Sequence, residues 1–299
     1  MKTKNLLNCF IAVALICIIF AACKKKEDAP APVVPPAAQN ADAKDASDNA
    51  LAETTFNDAS NIADQGAEGS LSSFLATNSS SQEKGILSSC ASITIDTLSG
   101  PNHTITINFG STPCLCGDLR YRSGIITVHF QGHYNAIGST LSITYTSYTV
   151  NGNLVNGTHT ITRDANVGLH PHHTIDVNGT IVKASGAGTI TWISHRTREW
   201  TDGYTTTTGV GHRMDDVFSI SGYTNGVYSS ANTRTFRDTL VALKIHLNCG
   251  FIESGHLNIS PTINGTVVPT RYIDFGTDGS CDNQATVVVS GTTYNITLQ

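Results

Sequence analysis

Beyond residue 90 the chain alternates apolar and polar positions with a period of two. Ile93-Thr94-Ile95, Ile105-Thr106-Ile107, Ile125-Ile126-Thr127-Val128, Leu141-Ser142-Ile143-Thr144-Tyr145, Thr174-Ile175-Asp176-Val177, Thr189-Ile190-Thr191-Trp192-Ile193 and Val287-Val288-Val289 are runs of this kind, bounded by Gly and Asn. Successive strand residues point to opposite faces, so each run predicts a strand with one apolar and one Thr/Ser face. Asn-Gly recurs at Asn151-Gly152, Asn156-Gly157, Asn178-Gly179, Asn225-Gly226 and Asn264-Gly265. Both residues tolerate positive φ, and some of these pairs are expected to close tight hairpins. No helix-length apolar repeat lies between the runs to carry parallel crossovers. Residues 90–299 therefore read as a mainly β domain, a large antiparallel meander folded as one curved sheet or as a sandwich.

Upstream the period changes. Leu51, Ala52, Phe56, Ala59, Ile62 and Ala63 recur at intervals of three and four, which predicts an amphipathic helix over 45–66, capped by Ser47 or Asp48 and ended at Gly66. Its narrow, Ala-rich stripe suits packing on the sheet. Residues 67–89 read as a Ser-rich loop, and 23–44, with Ala-Pro-Ala-Pro and Pro-Pro, as a semi-stiff tether.

The first 22 residues have the order of a secretory signal: Lys2 and Lys4, then an apolar stretch from Leu6 to Phe20, then Ala21-Ala22 before Cys23. The apolar stretch falls short of the roughly 20 residues a bilayer span needs. The pattern is similar to a lipobox, which would make Cys23 the acylated N-terminus, carrying chains such as palmitate. Removing residues 1–22 leaves 16 basic against 23 acidic residues.

Composition narrows the function classes. The chain holds 39 Thr and 26 Gly, with only 14% charged residues. That excludes a coiled coil, and the absence of a basic run in the body argues against nucleic acid as a partner. Cys9 and Cys17 lie within the signal, leaving Cys90, Cys114, Cys116, Cys249 and Cys281 beside Cys23. Segments 107–114 and 273–281 both place a cysteine shortly after an apolar-x-Phe-Gly strand end. The expected bridges run from Cys90 to Cys114 or Cys116, and from Cys249 to Cys281.

Candidate chemistry is sparse. The chain has neither a His-Glu-x-x-His signature nor a Gly-x-Ser-x-Gly elbow. His170, His172 and His173 form a dense cluster with the donors for Zn or Cu, and Asp274, Asp278 and Asp282 offer oxygen to Ca²⁺. The alternatives are solvated histidines and ordinary turn carboxylates. If 192–200 is one strand, Trp192, Ser194, Arg196, Arg198 and Trp200 share a face opposite Ile193, His195, Thr197 and Glu199. Aromatic rings beside Arg could stack on sugars, or simply pack across strands.

Taken together, Cys23 with Lys24-Lys25-Lys26-Glu27-Asp28, Ile107-Asn108-Phe109-Gly110 through Cys116, Gly117 to Gly124, Tyr148 to Gly152, Val155 to Thr158, and Ile273-Asp274-Phe275-Gly276 to Cys281-Asp282-Asn283 resemble a group of Bacteroidetes-type outer-membrane lipoproteins. The resemblance implies an anchor in the outer membrane and display on the cell surface; it carries no catalytic residue. The functional expectation is a binding or scaffold module for an extracellular glycan, lipid or protein. Its rivals are a hydrolase acting on an extracellular polymer and a lipid-carrier-like protein. The carrier predicts an open apolar groove under the helix, and the glycan binder an exposed Trp/Arg/Tyr platform.

Overall fold

The computed structural model describes residues 36–68, 90–96, 102–206, 215–229, 233–277 and 279–298. The signal segment, Cys23 and most of the expected Ser-rich loop lie outside them, as does Asp278. After the helix α1 (Pro36–Glu68) come fifteen strands: β1 (Ser92–Ile95), β2 (His103–Asn108), β3 (Cys114–Leu115), β4 (Tyr121–Gln131), β5 (Thr140–Val150), β6 (Asn153–Arg163), β7 (His172–Val182), β8 (Thr189–Asp202), β9 (Val217–Ser229), β10 (Thr233–His246), β11 (Ser254–Ile263), β12 (Thr266–Val267), β13 (Arg271–Asp274), β14 (Gln284–Val289) and β15 (Thr292–Thr297). All belong to one antiparallel sheet that does not close. Neighbours in the sheet follow chain order, with β3 beside β4 and β12 beside β11 as short side pairings. The meander is therefore a single curved sheet.

Its curvature brings distant strands together. The Arg120 guanidinium, from the turn before β4, donates to the carbonyl of Gly250, in the loop after β10. Inside the curve lies α1. From Asp45 to Ala67 nearly every side chain of the helix is buried, and only Ser47, Asn57, Asn61 and Gln65 are half-exposed. At 3.6 residues per turn these four fall within about 80° of one another, so the sheet and its loops enclose most of the helix circumference. The helix is longer than the expected 45–66, because Pro36 at its first turn needs no amide partner and the Ala-rich segment behind it propagates helix. Part of the expected tether is helical for that reason.

The acidic residues of α1 are also inside. Asp45 pairs with Arg234 and Arg271, and Asp48 with Lys183. Further along the helix, Glu53 meets Arg196, Asp58 meets Arg122 at 2.7 Å and Arg120 at 3.2 Å, and Asp64 meets Arg198 at 2.7 Å. Buried ion pairs gain little over well-packed apolar residues, but stranding one partner costs about 3–5 kcal/mol. Sliding the helix along its groove would separate these pairs, so the charges fix its register. Apolar contacts supply the rest: Phe56 stacks toward Trp192, whose ring lies 5.7 Å from Phe236.

Two of the five Asn-Gly pairs make the expected hairpins. Asn151-Gly152 joins β5 to β6 and Asn264-Gly265 joins β11 to β12, with positive φ at both residues of each pair. The other three lie within β6, β7 and β9. Gly157, Gly179 and Gly226 line a cross-strand row with Trp192 and Phe236, making room for large rings beside them.

Candidate functional site

Strand β8 decides which face can meet a ligand. Its burial alternates so that Trp192, Ser194, Arg196 and Arg198 point into the concave side under α1, and Trp192 is 1% exposed. Arg196 lies over the Trp192 ring at 5.6 Å and reaches Glu53; Arg198 lies over Phe218 at 4.7 Å and reaches Asp64. Trp200 packs against Phe218 at 5.6 Å. The expected platform of Trp192, Arg196, Arg198 and Trp200 is thus corrected: cross-strand packing and the helix occupy it. The carrier's open groove is filled as well. The clefts along the helix beside Leu51, Thr54 and Val150 and beside Asn57, Asn61 and Ile220 are narrow, with room for about one water molecule at most.

Burial also shifts the titration of side chains under the helix. Burial, helped by the charge of Arg198, pushes His159 down to about 3, and the same causes push His173 to about 3. His159 Nε2 meets the Ser60 hydroxyl at 3.1 Å. Desolvation raises Asp238 to about 6 against the pull of Arg196, and Asn49 donates to its carboxylate. Cys116 is a buried free thiol, its pKa raised by burial. Cys90 and Cys114 lie at disulfide distance with Cα atoms 5.6 Å apart, and Cys249 and Cys281 with Cα atoms 5.7 Å apart.

The convex face presents a different set. Ladder registry places Asp176, His195, Tyr223 and Thr239 side by side across β7, β8, β9 and β10. His195 Nδ1 donates to Asp176 at 2.7 Å, and both side chains are about half exposed. Tyr223 is 42% exposed, its ring 5.7 Å from the His195 ring, with the Arg237 guanidinium 5.8 Å from its centroid. Asn225, exposed, stands across the ladder from Arg237. An open aromatic ring bordered by a guanidinium, an imidazole, an amide and a carboxylate can stack on an apolar ring face and grip its hydroxyls.

Comparison with protein-family models, curated proteins and solved structures finds no match.

The histidine cluster splits by strand parity. His173 turns inward under α1, whereas His172 lies on the convex side, opposite Glu199 of β8. Asp274 and Asp282 each accept a hydrogen bond from the backbone amide two residues on, Gly276 and Gln284, at 2.8 Å, the turn role expected of such carboxylates. Cys249, Glu253 and Cys281 bring ligand atoms within 4.8 Å of one another, but the two sulfurs are the bridged pair. Among the described residues no helix is long and apolar enough to cross a membrane. No motif in the sequence marks Tyr223 or Arg237, and Asn225 reads only as part of an Asn-Gly turn. The strand alternation held the signal, since these residues are exposed on the same face of the sheet as His195.

Proposed function

We propose that this chain is a lipid-anchored, surface-displayed binding module that holds carbohydrate on the convex face of its sheet. The carrying observation is the exposed Tyr223 ring framed by His195, Arg237, Asn225 and Asp176. A helix fills the opposite face, so a ligand reaching the sheet meets the convex side. An acyl chain would need an apolar groove, and this patch is predominantly polar around one ring, which favours a sugar over a lipid. The anchor rests on the signal-like residues ahead of Cys23 and on the family resemblance, and the tether would hold the sheet away from the membrane.

A glycan array tests the reading. Wild type is expected to bind a defined subset of glycans, and Tyr223→Ala and Arg237→Ala to lose most of the signal, since an aromatic stacking contact contributes about 0.5–1.5 kcal/mol beyond its area. An array left blank by wild type, or binding unchanged in both variants, overturns it.

A further inference from the structure

We propose that the ligand of the convex face is an acidic oligosaccharide, in which a carboxylate-bearing sugar is joined to an uncharged one. This rests on the reading that the face binds carbohydrate, and it names the class. Arg237 carries the inference. Every other arginine among the described residues meets a carboxylate or a backbone carbonyl. Arg237, exposed on β10, has neither an ion pair nor a hydrogen bond, and its guanidinium lies 5.8 Å from the centre of the Tyr223 ring. The sheet around it supplies no counter-charge. Asn225 and Ser260 stand across the ladder from it, Thr235 and Thr239 flank it on the same face of β10, and none of the four is charged. Asp238, next in sequence, points the other way and is fully buried.

A guanidinium presents a planar fork of donors that a carboxylate accepts with both oxygens. Beside an aromatic ring and among amide and hydroxyl groups, that fork suits a sugar whose ring lies against Tyr223 and whose carboxylate sits on Arg237. The opposite end of the patch carries the opposite sign. Asp176 lies on β7, three ladder steps from β10, which at about 4.8 Å per step places it roughly 14 Å away across the strands. Its side chain is 57% exposed and accepts a hydrogen bond from His195, leaving lone pairs for sugar hydroxyls. A second ligand carboxylate there would meet like charge, whereas an uncharged ring would not. The two ends therefore favour a uronate joined to a neutral sugar over a chain with a carboxylate on every ring.

The probe is a tetrasaccharide alternating glucuronate and N-acetylglucosamine, compared by titration calorimetry with its carboxyl-reduced form and with tetragalacturonate. Wild type is expected to bind the alternating acid about tenfold or more tighter than the reduced form, as a hydrogen bond between charged groups allows, and tighter than tetragalacturonate. Arg237→Gln should erase the preference for the acid, and Asp176→Asn should narrow the gap to tetragalacturonate, each with native circular dichroism. Equal binding of the acidic and reduced forms, both lost in Tyr223→Ala, overturns the acidic class and leaves the carbohydrate reading standing. Should wild type bind none of the three, the glycan array decides. Captured glycans with a carboxylate beside a neutral sugar uphold the class, captured glycans that are all neutral overturn it alone, and a blank array removes both readings.

Discussion

Two imidazoles sealed under a helix make stability depend on pH, and a buried carboxylate opposes them. His159 and His173 titrate near 6.5 when unfolded but only at about 3 when folded. Between pH 6 and 4 the unfolded chain therefore takes up protons that the folded one refuses. Each histidine then costs about 1.4 kcal/mol of stability per pH unit on acidification. Asp238 acts in the other direction, since its folded pKa of about 6 exceeds the unfolded 3.8. It is protonated in the folded state first, and returns about 1.4 kcal/mol per unit over the same window. Two terms against one leave a net loss of about 1.4 kcal/mol per unit from these groups as pH falls. His159→Gln, which can keep a bond to Ser60, should bring their net contribution close to zero. Urea unfolding at pH 4, 5 and 6 measures it, and an unchanged slope in the variant would show that these histidines do not govern acid sensitivity.

At the scale of elements, the glycines inside strands show what local pattern can and cannot reveal. Gly179 of β7 lies under Phe56 of α1, and a Cβ there would meet Phe56 Cζ at 2.7 Å and the Asn156 carbonyl oxygen at 2.9 Å. Backbone on one side and a packed ring on the other leave no easy relief, so Gly179→Ala should destabilise by about 1–3 kcal/mol. Asn178→Ala, one residue away on the exposed face, should change little; equal urea midpoints for the two variants would contradict the packing argument. Asn178-Gly179 reads in sequence as a turn, because positive φ and ring clearance both select glycine and only the partner strands distinguish them. Strand identity was legible in the alternation of Ile, Val and Thr, and so was the antiparallel meander. The face was not: on β8 a shift of one residue exchanges Trp192 and Arg196 for Ile193 and His195, and burial by a helix far upstream selects between them. The acidic residues of α1 look solvent-facing for the same reason, since their cations lie roughly 60 to 225 residues downstream. Tyr223 and Arg237 escape a linear reading because cross-strand registry brings them together.

Across the whole molecule, an open sheet has two edges, and both bridges secure the flanking regions. Strands β4 to β11 run 10–14 residues and enclose the helix, whereas β1, β13, β14 and β15 run 4–6. Short strands at an edge carry fewer ladder bonds per element and open at lower free energy. Cys90, just before β1, is joined to Cys114 of β3, which fixes the first edge onto β4; Cys249, after β10, is joined to Cys281, just before β14. A bridge spanning 32 residues of sequence restricts the unfolded chain by an amount worth about 3–4 kcal/mol. Replacing Cys249 and Cys281 together by Ala should lower global stability by that order. Its local effect should be uneven: hydrogen exchange should accelerate most in β13, β14 and β15 and least in β7, β8 and β9, where long ladders close over α1. Uniform acceleration across the sheet would mean that the bridge acts on one cooperative unit. Faster exchange confined to the β13–β15 end would show that the helix-filled centre holds independently of its edges, leaving the Tyr223 face on the most rigid part of the molecule.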